Sequence, residues 1–279
     1  MHRLCLLLVA VSVAFPALAQ YSADKPVGAS AQSAPAYLKN AGLDQRLGSQ
    51  MPLNLHFVDS TGKDAPLGRY FAQKPVALAL VYFKCAMLCP QVLHGLANSL
   101  AQTGYAPARD YDVIVASIDP SDTPADAEAA RQKFVAQLGG DVPQDSVHFL
   151  TGSQPEITAL ANSVGFHYVR VPGPDGKMTQ FAHSSVIMVA TPEGRLSKYL
   201  TGVEYQPRDL RLALLEASDH RIGSPTDLIL LYCCNYSPSE GRYTVSVLRV
   251  LGLAGMASVF GLAAMIYLLS RKPKVKTAA

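Results

Sequence analysis

The stretch VALALVYFKCAMLCP, residues 76–90, decides the fold. Its first part, Val76 to Phe83, is a nearly continuous apolar run with β-forming side chains at its ends. Such a run is typical of a strand buried on both faces, as in the middle of a parallel or mixed sheet. Pro90 favours the first turn of a helix, and apolar side chains then recur at helical spacing up to Leu100. The stretch predicts a strand, a short connection and a helix.

Strands and helices continue to follow one another through a predicted domain of residues 48–217. Pro192-Glu193-Gly194 indicates a turn between two strands, and hence an antiparallel hairpin, whereas the earlier strand–helix–strand order implies a parallel crossover. A mixed sheet with helices on both faces is the thioredoxin-like architecture, so the predicted fold class is α/β. The predicted strands are 53–58, 76–83, 111–118, 147–150, 166–171, 185–190 and 196–200. Three further helices are predicted after the one that begins at Pro90, over residues 124–138, 155–164 and 207–217.

The N-terminus has the pattern of a secretory signal peptide, residues 1–19. A short basic start precedes the apolar run Leu4 to Phe15, which is too short to span a bilayer comfortably. Ala17 and Ala19 are small residues at the two positions that a signal peptidase reads. The alternative is an uncleaved N-terminal anchor. Residues 20–47, rich in Ala, Ser and Pro at their start, are interpreted as a linker.

The C-terminal part predicts one transmembrane helix over residues 248–270. Val250 to Leu269 contains no charged residue, and a basic tail, residues 271–279, follows it. Basic residues accumulate on the cytoplasmic side, so we expect a cytoplasmic tail and a single pass through the inner membrane. The domain and a juxtamembrane segment, residues 218–247, would then lie on the periplasmic side. The formal net charge of +3 owes much to this tail, and the near-neutral remainder gives no indication of nucleic-acid binding.

Two of the five cysteines, Cys85 and Cys89, lie at the predicted strand-to-helix junction. Free backbone N–H groups and the positive end of a helix lower the pKa of thiols there. Two thiolates are a soft ligand pair that favours Cu(I), and the same pair could close a small disulfide ring. The alternative is a purely structural disulfide.

A third ligand is needed to hold copper well, and His183 is the candidate. It lies directly before the predicted strand 185–190, and in a thioredoxin-like sheet this loop passes beside the redox helix. Alternatively, His183 only caps a strand. The remaining histidines of the mature chain are interpreted as structural or surface residues, and Met87 as a core residue. Asp119 either bonds near the site or ends its strand; Cys233 and Cys234 have no preferred interpretation.

Three ordered segments carry a family resemblance. They are Lys84 to Pro90 with its Cys-x3-Cys-Pro pattern, Ser117 to Pro124 with its Ser-x-Asp-Pro and Asp-Thr-Pro patterns, and the histidine segment Phe181 to Ser185. Together they resemble the Sco/SenC family over about residues 48–217. The resemblance implies that Cys85, Cys89 and His183 bind one Cu(I) or Cu(II) ion per domain. It also implies copper delivery to, or thiol reduction of, the copper-receiving subunit of cytochrome c oxidase.

Partners expected from the resemblance are that subunit, other copper carriers or thiol reductants, and the membrane.

Two features depart from the family pattern: the anchor follows the domain, and Lys84 adds a positive charge beside the cysteines. A metal-free thiol–disulfide oxidoreductase is the main alternative, although Cys-x-x-Cys is its usual motif. A dinuclear copper electron-transfer site is disfavoured because Leu93 stands where a histidine is needed. Peroxide reduction is disfavoured because Lys84 replaces the required Thr or Ser.

Overall fold

A computed structural model describes residues 40–71, 73–85, 88–173, 175–219, 229, 234–237 and 242–270. The predicted signal peptide, the first twenty residues of the linker, Met87, His220, Cys233 and the basic tail lie outside the described residues. All elements below belong to one unit, Asn40–Ala279.

The described strands and helices follow the predicted order with additions. The strands are β1 Gly42–Leu43, β2 His56–Asp59, β3 Asp64–Pro66, β4 Val76–Val81, β5 Asp112–Ser117, β6 Val147–Thr151, β7 Phe166–Val171, β8 Gln180–His183, β9 Val186–Ala190, β10 Leu196–Thr201, β11 Cys234–Ser237 and β12 Arg242–Val245. The α-helices are α1 Cys89–Gln102, α2 Pro124–Leu138, α3 Gln154–Ser163, α4 Pro207–Ala217 and α5 Val247–Ser270.

The central sheet has seven strands in the order β10-β9-β4-β5-β6-β2-β3. Strands β4, β5 and β6 are parallel, whereas β9 joins β4, β10 joins β9 and β2 joins β6 in antiparallel pairs. Every residue of β4 and of β5 is buried, as expected for the middle of a sheet with both faces covered. The predicted mixed sheet is therefore confirmed, with β4 an inner strand between β9 and β5 and the cysteines just beyond the carboxyl end of β4.

Helix α2 begins and ends where the sequence pattern placed it. The Thr123 hydroxyl accepts a hydrogen bond from the Asp126 N–H, and the Asp126 carboxylate accepts one from the Thr123 N–H, so a capping box fixes the first turn. Gly139, with φ of 71°, ends the helix in a conformation that favours glycine. Pro90, Pro124, Pro155 and Pro207 each lie in the first turn of a helix.

A second, three-stranded sheet has the order β1-β7-β8 and differs from the prediction. His183 does not lie in a loop but ends β8, opposite Tyr168 of β7. Strand β1, within the predicted linker, pairs with Phe166 and His167 of β7. The histidine-bearing segment is thus held on a paired strand.

The C-terminal part contains a short hairpin and a long helix. Strands β11 and β12 pair, with buried Cys234 opposite Val245. Within α5, Val250–Tyr267 has a mean hydropathy of 1.9 and no buried residue. By length and composition this helix could cross a membrane.

Candidate metal centre

The cysteine pair lies at the junction between β4 and α1. Cys89 is the first residue of α1 and is 2% exposed, whereas Cys85 lies in the preceding loop and is only partly buried. Neither forms a disulfide in the structure. The junction after β4 therefore places two sulfurs at the same corner of the sheet, one buried and one partly exposed to solvent.

His183 approaches this corner from the second sheet. Its Nε2 lies 3.4 Å from the Sγ of Cys89. Its Nδ1 lies 3.0 Å from the carbonyl oxygen of Ser184. Because a carbonyl oxygen can only accept, Nδ1 carries the proton, and the lone pair of Nε2 faces the sulfur. This is the tautomer in which a histidine offers Nε2 to a metal.

The spacing of the two side chains can be compared with a metal site. Two ligands of one tetrahedral ion, a sulfur at about 2.3 Å and a nitrogen at about 2.0 Å, lie about 3.5 Å apart. The observed Sγ–Nε2 distance of 3.4 Å is close to that separation. Among the described residues, no group of three or more His, Cys, Asp or Glu side chains has metal-holding geometry. Binding of one ion by all three side chains would therefore require at least one of them to move.

The two thiols interact directly. The pKa of Cys89 is raised above its ordinary value, first by a hydrogen bond with the Cys85 side chain and then by burial. The backbone N–H of Cys89 acts in the opposite direction but does not prevail. The expectation that the helix N-terminus lowers thiol pKa is thus wrong for Cys89, because its hydrogen bond and its burial outweigh the helix end. Cys89 keeps its proton until a metal or an oxidant removes it.

Aromatic side chains surround the imidazole of His183. The ring centroid of Phe166 lies 5.4 Å away, and that of Tyr82 lies 6.4 Å away in an edge-on arrangement. Tyr82 also packs edge-on against Phe181 at 5.2 Å, and burial and a hydrogen bond with Cys85 raise its pKa. Tyr82 thereby links the cysteine loop to β8. The alternation of Phe181 and His183 along β8 is the sequence signal that could have revealed this strand.

Lys84 is paired with carboxylates at the start of α2. Its ammonium lies 3.1 Å from Asp126 and 3.6 Å from Asp122, and it donates to the Ser121 carbonyl at 2.8 Å. The hydrogen bond with Asp126 is the main cause that raises the pKa of Lys84. The positive charge beside the motif is therefore compensated locally.

Asp122 and Asp119 explain the second sequence segment. The buried Asp122 carboxylate accepts hydrogen bonds from the Phe83 N–H at 2.7 Å and the Ser117 hydroxyl at 2.6 Å. Asp119 accepts one from the Ser121 N–H and lies 3.7 Å from Arg170. Asp119 thus ends its strand and contacts β7, while Asp122 anchors the residue before Lys84. Sequence reasoning did not identify the role of Asp122.

The other described histidines have local partners that account for them. His94 is bonded to Asn98 at 2.8 Å, and His56 and His167 lie beside aspartates. His148 packs on Tyr70, and burial lowers its pKa. Of the described histidines, His183 is the one with a contact to a cysteine sulfur.

Comparisons with known proteins agree on the family and the fold. The SCO1/SenC family profile matches residues 47–216. A structure from Aquifex aeolicus VF5 is 24% identical with a TM-score of 0.55, covering 63% of this chain and 96% of that chain. Arabidopsis thaliana ScoI, solved with copper bound, is 20% identical with a TM-score of 0.50, covering 62% and 98%.

A third similar structure is BsSco, described as a member of the Sco family of cytochrome c oxidase assembly proteins in which a disulfide switch was identified. It is 24% identical with a TM-score of 0.45, covering 63% of this chain and 98% of that chain. A comparison with curated protein sequences finds no match. The predicted thioredoxin-like α/β fold class is confirmed. Because the family profile spans more than half of its length, the chain belongs to the SCO1/SenC family.

Proposed function

We propose that this protein is a membrane-anchored copper chaperone that binds one copper ion through Cys85, Cys89 and His183. The observation that carries the proposal is the 3.4 Å approach of the His183 Nε2 lone pair to the Cys89 sulfur. Two sulfurs and one imidazole are a soft ligand set suited to Cu(I), and a third ligand compensates for the weak hold of two. Family membership supports copper as the cargo, since Arabidopsis thaliana ScoI was solved with copper bound.

Each side chain has a distinct role in this proposal. Cys89 holds the ion from the buried side, Cys85 from the accessible side, and His183 closes the site from β8. Both thiols release their protons when copper binds, so copper affinity falls as the pH is lowered. Tyr82 and Phe166 restrict the imidazole to one orientation.

The proposed recipient is the copper-receiving subunit of cytochrome c oxidase, with other copper carriers or thiol reductants as further partners. Support comes from the family match and from BsSco, whose family is described as cytochrome c oxidase assembly proteins. The proposed location is the inner membrane, with α5 as the single span, the domain in the periplasm and the basic tail in the cytoplasm. The exposed apolar length of α5 supports an anchor.

A second candidate function uses the same pair without metal. The hydrogen bond between the two thiols and the partial exposure of Cys85 favour reversible disulfide formation. The protein would then act as a thiol–disulfide oxidoreductase on an oxidase subunit. This function does not require His183.

Copper retention by a histidine variant separates the two functions. The reduced full-length protein in detergent is mixed with Cu(I), desalted and analysed for metal. We expect about one copper ion per chain, and a loss of affinity of at least about 100-fold in His183→Ala. His94→Ala is the matched control, since His94 bonds to Asn98. Unchanged retention by His183→Ala would reject the proposed ligand set, and disulfide reductase activity without copper retention would favour the second function.

A further inference from the structure

A groove of about 340 Å³ lies between α1 and α2, beside the cysteine pair. Cys85 and Cys89 both line it, together with Pro90 and Leu93 of α1. Its opposite wall belongs to α2. The groove therefore opens the reactive sulfurs to the surface along one defined path.

Accessibility within the site is uneven. Cys89 is 2% exposed, and the imidazole of His183 contacts its sulfur. Cys85 is only partly buried and lines the groove. A ligand that enters along the groove can therefore reach Cys85 directly, whereas Cys89 lines the same groove but is almost fully buried, and His183 is not one of its lining residues.

The walls of the groove are apolar near the sulfurs. Phe83, Leu93 and Phe134 provide large apolar side chains, and the small Ala129 and Ala130 of α2 leave space between the helices. Two charged residues also line the groove: Asp126, which is already bonded to Thr123 and Lys84, and Lys133, which is exposed on α2. This chemistry fits an apolar polypeptide segment that carries a thiol better than it fits a small charged ligand.

We propose that the α1–α2 groove is the docking surface for the cysteine-bearing, apolar segment of the copper-receiving protein. This inference rests on the proposed copper-chaperone function and adds the route by which the recipient reaches the ion. Docking in the groove places the recipient thiol beside Cys85, the more exposed of the two sulfurs that line it.

The transfer is a ligand exchange without electron transfer. The recipient thiol gives up its proton and forms a sulfur–Cu(I) bond. The bond between Cu(I) and Cys85 breaks, and the released Cys85 thiolate takes up a proton. Repetition of this exchange at the two remaining ligands moves the ion to the recipient, and copper stays Cu(I) throughout.

Filling the groove tests the inference. The full-length protein in detergent micelles is loaded with Cu(I), and transfer is followed to a synthetic peptide with one cysteine between apolar residues. Ala129→Phe should slow transfer to the peptide about 10- to 100-fold, because it obstructs the bound geometry. Ala129→Leu should slow it less. Removal of copper by dithiothreitol, which is small enough to pass, should keep the wild-type rate in both variants.

Ala101→Phe is the matched control, since Ala101 is an exposed alanine of α1 outside the groove. It should transfer copper to the peptide at the wild-type rate. Wild-type transfer by Ala129→Phe, or equal slowing with the peptide and with dithiothreitol, would overturn the docking surface.

A copper-free measurement separates this inference from the proposed function. The cysteine of the same peptide is first blocked as a mixed disulfide with thionitrobenzoate. In a Cys89→Ser background, the Cys85 thiolate attacks the peptide sulfur of this mixed disulfide. A protein–peptide disulfide forms and thionitrobenzoate leaves, which is measured by absorbance. Ala129→Phe should slow this reaction but not the reaction with free dithiobisnitrobenzoate. Selective slowing here, combined with a wild-type protein that retains no copper, would support the groove while rejecting the chaperone. No slowing here, combined with normal copper retention by the wild type, would reject the groove alone.

Discussion

The orientation of His183 follows from a single hydrogen bond. Its Nδ1 donates to the carbonyl of Ser184, so the other ring nitrogen presents its lone pair to Cys89. An imidazole that lacked this bond could offer either nitrogen or rotate. At the scale of the residue, the proposed site is therefore preorganised on the histidine side, whereas the raised pKa of Cys89 means that a metal ion would have to displace its proton.

Asp112 gives the fold a measurable pH dependence away from the site. It is buried at the start of β5, with one carboxylate oxygen 3.1 Å from Lys74 and the other without a hydrogen-bond partner. Burial raises its pKa from 3.8 to about 6, although Lys74 acts against this. The folded protein thus binds this proton more tightly than the unfolded chain does.

The sign of the effect on stability follows directly. The contribution of Asp112 to the free energy of unfolding should be greatest below about pH 4. It should fall by up to about 3 kcal/mol as the pH rises through about 6. Asp112→Asn should remove this slope and raise the stability at pH 7. Urea unfolding at several pH values, followed by near-ultraviolet circular dichroism, measures it. An unchanged slope in Asp112→Asn would contradict the assignment.

At the scale of elements, the site is assembled by contacts between segments that are distant in sequence. Lys84, in the loop after β4, reaches Asp126 in the first turn of α2, and Asp122 accepts the Phe83 N–H. These contacts fix the loop that carries Cys85 against the start of α2. The second sequence segment is thus a support for the first.

Lys84→Met tests whether this charge acts on the fold or on the metal. Asp122, which is buried, would lose a cation, so the free energy of unfolding should fall by about 1 kcal/mol. Copper affinity should stay unchanged because the ammonium faces α2. Urea unfolding and copper competition with a chelator measure the two effects, with exposed Lys63→Met as the control. Tighter copper binding by Lys84→Met would show that the charge opposes the ion.

The elements that the sequence predicted well are those with a strong local pattern. The continuous apolar runs of β4 and β5 identify buried strands, and Thr123, Pro124 and Gly139 mark the limits of α2. Strands β3 and β8 were not predicted, because each has three or four residues and one buried side chain. Their formation depends on pairing with β2 and β7, and the local pattern, such as that of Phe181 and His183 in β8, is too short to predict it alone.

The candidate site likewise has features that a local sequence pattern predicts and features that depend on tertiary contacts. The cysteine junction could be predicted because a buried strand and a helix start flank it. The placement of His183 near the cysteines was expected from the architecture, but its strand was not. The interactions of Lys84 and Asp122 and the raised pKa of Cys89 depend on tertiary contacts, so spacing alone could not reveal them.

At the scale of the whole molecule, the chain combines a SCO1/SenC domain with one exposed apolar helix. Helix α5 has a span, Val250–Tyr267, that is not buried against the rest of the protein. An anchor of this kind would keep the domain near a membrane-bound recipient and raise its local concentration there.

Reporter fusions test the proposed orientation. Alkaline phosphatase, which folds outside the cytoplasm, should be active when fused after Ala217. A fluorescent protein that folds only in the cytoplasm should fluoresce when fused after Ala279. The basic tail predicts this pattern through the positive-inside rule. Activity of the phosphatase at the C-terminus, with none after Ala217, would reverse the topology.

X-ray absorption spectroscopy of the Cu(I)-loaded full-length protein tests the central claim most directly. The wild-type spectrum should require two sulfur ligands and one imidazole nitrogen at the metal. In His183→Ala the imidazole contribution should disappear while both sulfur ligands remain, and His94→Ala should match the wild type. An imidazole signal that persists in His183→Ala, or a wild-type site without two sulfurs, would contradict the convergence of Cys85, Cys89 and His183 on one ion.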